Sequence, residues 1–344
     1  MRTWLEVAAF ALLYGLLTEV SVRFFSFNGS ISVVWLPAGL ALFALLAWGP
    51  HFVVGMLVGD LVAISLRGEP AGAAVMIALG NAGAAWVGAW LLNRQPGFDR
   101  LLRSLRDYLR VLGLAGVLGS LISALVGVTA LWVFGGLGAQ AVVPTLYSWW
   151  AGDAVGVLLL APLLLIWRAK PPAWARPGSG RRQRLEAGLM LALAFVLGQI
   201  VFGNWASNVD GMVIKSFWPF VLLALYTPRM GRHGIAIILV MFAAQGLSAV
   251  LAGTGIFAGD IAATRLSNYW IYISALAIYG MVSASYFEQL RHVQSELAMQ
   301  EAAYRSQFAD NSAVLVLFEM DGKVIDANAA ALRFYGYSRD QLLG

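Results

Sequence analysis

The sequence contains no cysteine, which excludes disulfides, thiolate catalysis, iron–sulfur clusters and cysteine-based zinc sites. Histidine is scarce too. His51, His233 and His292 are the only three, and no two share the i, i+3 or i+4 spacing that puts ligands on one helical face. A histidine metal centre is therefore not expected, and serine hydrolysis lacks a neighbouring base. Charge is the third shortage: charged residues make up 12% of the chain, against about 25% in soluble globular proteins. A soluble enzyme is excluded with it.

What is present is apolar. Of 344 residues 60% are hydrophobic and the mean hydropathy is +0.75, so the dominant solvent must be lipid and the expected fold is an all-α polytopic membrane protein. A spanning helix needs about 20 apolar residues. Ten runs qualify as candidates: 4–25, 33–48, 52–66, 71–92, 108–134, 143–167, 185–205, 217–226, 234–251 and 268–287, the second, third and eighth being short. They give ten transmembrane helices, or eight if the second and third form a re-entrant hairpin. The first run reaches full span length without a small-residue cleavage pattern, so it reads as a span and not as a cleavable signal.

Charge distribution sets the topology. Residues 1–287 hold 18 basic and 10 acidic side chains, whereas 288–344 hold 5 and 8, a basic membrane part followed by an acidic tail. With the N-terminus inside, the loops 49–51, 93–107, 168–184 and 227–233, with Arg110 at the edge, carry 13 basic residues, against Arg67, Lys215 and Arg265 outside. The positive-inside rule accounts for the clusters without any appeal to nucleic acid, and both termini are expected in the cytoplasm. Between spans, residues 98–110 (FDRLLRSLRDYLR) place Phe98, Leu101, Leu102, Leu105 and Leu109 on one face, the pattern of an amphipathic interfacial helix. Residues 169–180 carry Pro171, Pro172, Pro177, Gly178 and Gly180, which predicts a non-helical linker.

After Phe287 the pattern changes. Leu290, Val293, Leu297, Tyr304 and Phe308 mostly keep a and d spacing, interrupted by Gln300, as in a short cytoplasmic signalling helix that pairs with a second copy; the alternative is a solvated linker in a monomer. Residues 313–319 and 324–327 read as strands around the Asp321-Gly322 turn. Asn328 is placed to cap a helix over 329–335, and Ser338 with Gln341 forms a capping-box pattern. The apolar residues of this tail are too few to fold independently.

Residues 311–344 (NSAVLVLFEMDGKVIDANAAALRFYGYSRDQLLG) resemble the opening third of a PAS domain, through the hairpin at Asp321 and Gly322, the helix-opening Asn328 and the GYS-x-x-x-L-x-G ending from Gly336. The membrane part resembles the bacterial membrane-associated sensor domain MASE, type 1. The carrying motifs are WLPAGLALFALL (35–46), LGNAGAAWVGAWLL (79–92), SWWAGDAVGVLLLAPLLL (148–165) and FWPFVLLALYTPRMGRHG (217–234). The resemblance implies three regions: a membrane sensor at 1–287, a signalling helix at 288–310 and an incomplete α+β PAS start at 311–344. It also implies a bacterial inner-membrane location and coupling to GGDEF or GGDEF-EAL domains that make or degrade cyclic di-GMP, or to a histidine kinase. Neither a GGDEF motif nor a kinase box occurs in these residues, and His292 lies in HVQSE, without phosphoacceptor surroundings.

Intramembrane polar residues are the candidate sensing groups, since each ionisable side chain in hydrocarbon costs at least about 2.5–3.5 kcal/mol on insertion scales. Glu19 and Arg23, at i and i+4, are expected to pair. Asp60 and Asp153 have no local basic partner, and Gly152 with Gly156 makes a G-x-x-x-G surface that turns Asp153 towards another helix. Pro37 removes a backbone donor, so Trp35 and Pro37 mark a kinked or broken helix start able to line a cavity. Asn81, Trp149 and Trp150 are placed to complete a pocket with Asp153; the plainer alternative is ordinary packing. Trp48, Trp167 and Trp205 fit an interfacial belt. The leading function is a signal-input module whose partners are the bilayer, a second copy and a small-molecule or membrane-derived signal of unknown identity. No cofactor, metal or catalytic residue is implied. The competing readings are a small-solute transporter, favoured by the broken helix and intramembrane acids, and a passive dimerisation anchor.

Overall fold

The computed structural model describes residues 2–27, 31–170, 172–175, 180–203, 205 and 215–343. The chain divides into two compact units, Met1–Phe287 and Glu288–Gly344. In hydrocarbon every backbone polar group must be satisfied within the protein, which is why long apolar runs become helices.

The first unit holds α1 (Arg2–Phe25), α2 (Leu36–Ala47), α3 (Phe52–Leu66), α4 (Ala71–Asn93), α5 (Leu105–Arg110), α6 (Ser120–Phe134), α7 (Ala139–Trp167), α8 (Arg181–Val201), α9 (Trp218–Ala252), the one-turn α10 (Asp260–Thr264), and the membrane part of α11 (Ser267–Ala309). Helix α5 runs into α6 through a π-helical stretch, Val111–Gly119. Among the described residues seven helices are long and apolar enough to cross a membrane, with α2 and α3 as shorter apolar helices. Each of the ten sequence runs thus contributes a helix, and the count of spans depends on two places. At α2 the 12 residues reach only about 18 Å at about 1.5 Å each. In α9 the eighth and ninth runs meet across Gly231, whose φ of 59° and ψ of −168° break the helix. Glycine suits that position because other residues pay to enter positive φ. The carbonyls beside the break find other donors: the Trp174 indole N–H donates to Met230 O at 3.3 Å and that of Trp167 to His233 O at 3.2 Å.

The interfacial helix expected over 98–110 is corrected to Leu105–Arg110 alone. Side chains of the segment compete for its backbone: Asp99 Oδ1 accepts from Leu101 N at 2.9 Å, Ser104 Oγ accepts from Asp107 N at 3.2 Å, and Leu102 turns to positive φ. Asp and Ser favour such caps and turns over helix interiors. Pro171, Pro177 and Gly178 of the predicted linker lie outside the described residues; Ala173–Ala175 form a single 3₁₀ turn.

Loops that the charge pattern grouped meet at one end of the bundle. Arg100 donates to Leu46 O and to Asn93 Oδ1, both at 2.9 Å, and buried Arg232 donates to Leu101 O and Leu102 O at 2.9 and 2.8 Å. At the other end of α1 and α3, Glu19 pairs with Arg67 at 3.0 Å.

In the second unit, β3 (Val316–Phe318) pairs antiparallel with β4 (Val324–Ala327), and Gly322 takes positive φ in the turn between them. Asn328 caps α12 (Ala329–Tyr335): its Oδ1 accepts from Ala331 N at 2.8 Å and Leu315 N at 3.1 Å, while its Nδ2 donates to Ala313 O at 2.8 Å. Ser338 and Gln341 exchange reciprocal bonds at the start of α13 (Arg339–Leu343). Along α11, Leu290, Val293, Leu297 and Tyr304 are exposed, and Phe308 is half-buried.

Candidate functional site

Five helices contribute to one polar chain. Asp60 on α3 is 1% exposed and Asp153 on α7 is 3% exposed. Asp60 Oδ2 accepts from Asn81 Nδ2 of α4 at 2.6 Å, and its Oδ1 accepts from Thr18 of α1 at 3.3 Å. Asn81 Oδ1 in turn accepts from the Ser123 hydroxyl of α6 at 2.7 Å, and Ser123 Oγ accepts from the Trp149 indole of α7 at 3.2 Å. The chain therefore orients an amide, a hydroxyl and an indole across the bundle, which is how polar groups hold helices together in lipid.

A cavity of about 360 Å³ opens along this chain, lined among others by Trp35, Asn81, Trp149 and Asp153, with Arg67 and Glu69 as its exposed polar lining. A chamber of about 20 Å³ shares Trp35, Asn81 and Asp153 and extends to Gly119, Ser120 and Ser123 where the π-helical stretch ends. Such local widening of a helix is often found at functional sites. Among the described residues no group of three or more His, Asp or Glu side chains is placed to hold a metal ion.

The cavity wall at Trp35 is extended backbone. Ser26–Phe27 (β1) and Ile31–Ser32 (β2) form a two-stranded pair, and α2 begins only at Leu36, with Pro37 in its first turn. Proline is tolerated there because a first-turn N–H has no helical partner. The segment lies directly on α7: Trp35 N donates to Gly152 O at 3.0 Å, and a Cβ on Gly152 would stand 2.5 Å from Ser32 O. A Cβ on Gly156 would collide with the Trp35 carbonyl oxygen. From the far side, the Trp270 indole of α11 donates to Val33 O at 2.7 Å, and its ring meets Tyr147 edge-on at 5.6 Å.

Of the residues singled out by sequence, Trp35, Asn81, Trp149 and Asp153 line the cavity, with Asp60 behind Asn81. Pro37 starts α2 and is buried outside the cavity lining. Trp150 turns away and donates to Val117 O at 3.1 Å, a carbonyl in the π-helical stretch. The Glu19–Arg23 pair is corrected: Glu19 takes Arg67, and Arg23 is exposed on α1. The Glu19–Arg67 pair spans 48 positions and carried no local signal; Thr18, Ser123 and Trp270 had none beyond being polar groups in apolar runs.

Comparison with known proteins gives one family: the model described as MASE1 matches residues 7–289. No curated protein and no solved structure matches the chain.

Proposed function

We propose a specific signal-input role for this chain, which belongs to the MASE1 family, a membrane sensor input domain of signalling proteins. The cavity at Trp35 and Asp153 receives the signal, α11 carries it out of the membrane unit, and the cytoplasmic output makes or degrades cyclic di-GMP. The observation that carries this reading is the bond from Trp270 to Val33 O at 2.7 Å. It ties the cavity wall to the helix that continues past Phe287 to Ala309. A ligand shifts such an equilibrium only by its differential affinity for two arrangements, and a wall segment bonded to α11 supplies a way for occupancy to differ between them.

The finer assignments are part of the same proposal. Residues 311–344 are the beginning of a PAS domain, supported by the β3–β4 hairpin and the Asn328 cap. The end of the bundle that gathers Arg100 and Arg232 faces the bacterial cytoplasm, supported by the basic loops there. The protein is a homodimer in which the exposed Leu290, Val293, Leu297 and Tyr304 of α11 pair with those of a second copy.

The test reads the gene beyond Gly344 and then the output of its full product. A frame that completes PAS and enters GGDEF supports the cyclic di-GMP assignment; a dimerisation box with an ATP domain replaces it by a histidine kinase, and a stop codon overturns both. In the full protein Trp270→Phe keeps an aromatic ring and removes the N–H. The expected result is an output that no longer follows stimulus while protein level in the membrane is kept. An output that still follows stimulus like the parent overturns the α11 route.

A further inference from the structure

The cavity has more acid than base. Asp153 and Glu69 line it with Arg67, and Arg67 is already joined to Glu19 at 3.0 Å. Asp153 is the group that points to an occupant. It is 3% exposed and borders both chambers. The groups that act on its carboxylate are two neutral hydrogen-bond partners, Ser123 and Trp149, and the acidic Asp60, with no basic side chain among them. A hydroxyl and an indole each own a single hydrogen, and those two are shared with Asn81 Oδ1 and Ser123 Oγ.

A carboxylate held away from water is neutralised by a proton or by a countercharge, and the rest of the lining says which countercharge fits. Trp35 and Trp149 offer two indoles, the aromatic group that attracts cations most strongly. Val22, Ile64, Ile77 and Leu131 complete an apolar wall. A bare metal ion would need several oxygen ligands in place of its water shell, and among the described residues no three acidic or histidine side chains converge to supply them. A volume of about 360 Å³ falls in the range of small-molecule sites.

We propose that this cavity binds a small organic monocation, with its ammonium group on Asp153 and its alkyl part against Trp35, Trp149 and the aliphatic wall. This deepens the signal-input reading and rests on it for the consequence of binding, while binding itself is measured without any output. The entire chain, purified in nanodiscs, is titrated with choline and with butylammonium, following intrinsic tryptophan fluorescence and the melting temperature. The controls are 3,3-dimethyl-1-butanol, a neutral isostere of choline, the zwitterion glycine betaine, and sodium chloride.

Saturable binding of at least one of the two cations is expected, with at least tenfold weaker binding of the neutral isostere. Asp153→Asn is expected to weaken cation binding tenfold or more. Should that variant fold poorly, Ile77→Trp fills the cavity from α4 without touching any charge, and is expected to abolish binding. Equal response to the neutral isostere, response to betaine alone, response to neither cation, or unchanged affinity in a folded Asp153→Asn or Ile77→Trp protein overturns the proposal. Cation binding combined with a Trp270→Phe protein that signals normally leaves the site standing and removes the α11 route. No cation binding combined with loss of signalling in Trp270→Phe does the reverse.

Discussion

Replacing Gly156 by Ala tests whether α7 and the cavity wall are truly in backbone contact. On an isolated helix the change stabilises by about 0.5–1 kcal/mol, because alanine has less backbone entropy to lose. Here the new Cβ would stand 2.7 Å from the Trp35 carbonyl carbon and overlap its oxygen, whereas ordinary carbon contacts are about 3.5–4.0 Å. Relief requires a separation of about 1 Å. The wall cannot give way freely, being bonded to Gly152 O on one side and to Trp270 on the other. Overpacking of this kind costs about 1–3 kcal/mol, and straining two hydrogen bonds adds about 0.5–1.5 kcal/mol each. Less the helix-propensity gain, the expected loss is about 1–5 kcal/mol. The assay is unfolding of the purified chain in detergent micelles, with Gly188→Ala as control. Gly188 lies inside α8 with open space around its Cβ position, so only the propensity gain should appear there. A Gly156→Ala protein as stable as the parent, or more so, would refute the close approach and with it the seating of Trp35 on α7.

Two further predictions are smaller in scale. Arg67→Met should cost about 1 kcal/mol or less in the same assay, because the pair with Glu19 is partly exposed and screened, while Arg23→Met should change nothing measurable; the reverse order would restore the local Glu19–Arg23 pair. Leu297 is 63% exposed, and Leu297→Asp is expected to shift the full-length protein from dimer to monomer in mass photometry without lowering its melting temperature. A Leu297→Asp protein that remains dimeric would remove the α11 seam from the dimer proposal.

Legibility followed the range of the forces involved. Spans are legible because hydrophobic runs answer to a solvent requirement that acts residue by residue, and each of the ten runs contributes a helix. The tail was legible for a similar reason: Asn328, Gly322 and the Ser338–Gln341 box act over three or four residues, and each does so in the structure. Segment 98–110 misled because its apolar spacing was helical while Asp99 and Ser104 captured nearby amides. Asn81 and Asp153 could be placed in one pocket, but Asp60 could not be joined to them, since its bond to Asn81 spans 21 positions and that of Asn81 to Ser123 spans 42. Glu19 failed in the same way, its partner lying 48 positions away.

The extended start of α2 explains how the cavity wall comes to meet α11. A residue inside a helix satisfies its backbone from its own helix, so movement of a neighbouring helix leaves those bonds intact. Residues 32–35 have no such ladder. Val33 N donates to Phe25 O at the end of α1, Trp35 N to Gly152 O of α7, and Val33 O accepts from Trp270 of α11. Each bond belongs to a different helix, and each unmet buried partner costs about 1–3 kcal/mol. The segment therefore resists any displacement of these three helices that is not shared among them. Under the proposed signal-input role, a change at Asp153 or Trp35 would be answered either by strain in the segment or by a concerted shift that includes α11. Pro37 in the first turn of α2 and the close approach of Trp35 to Gly156 help keep the segment extended.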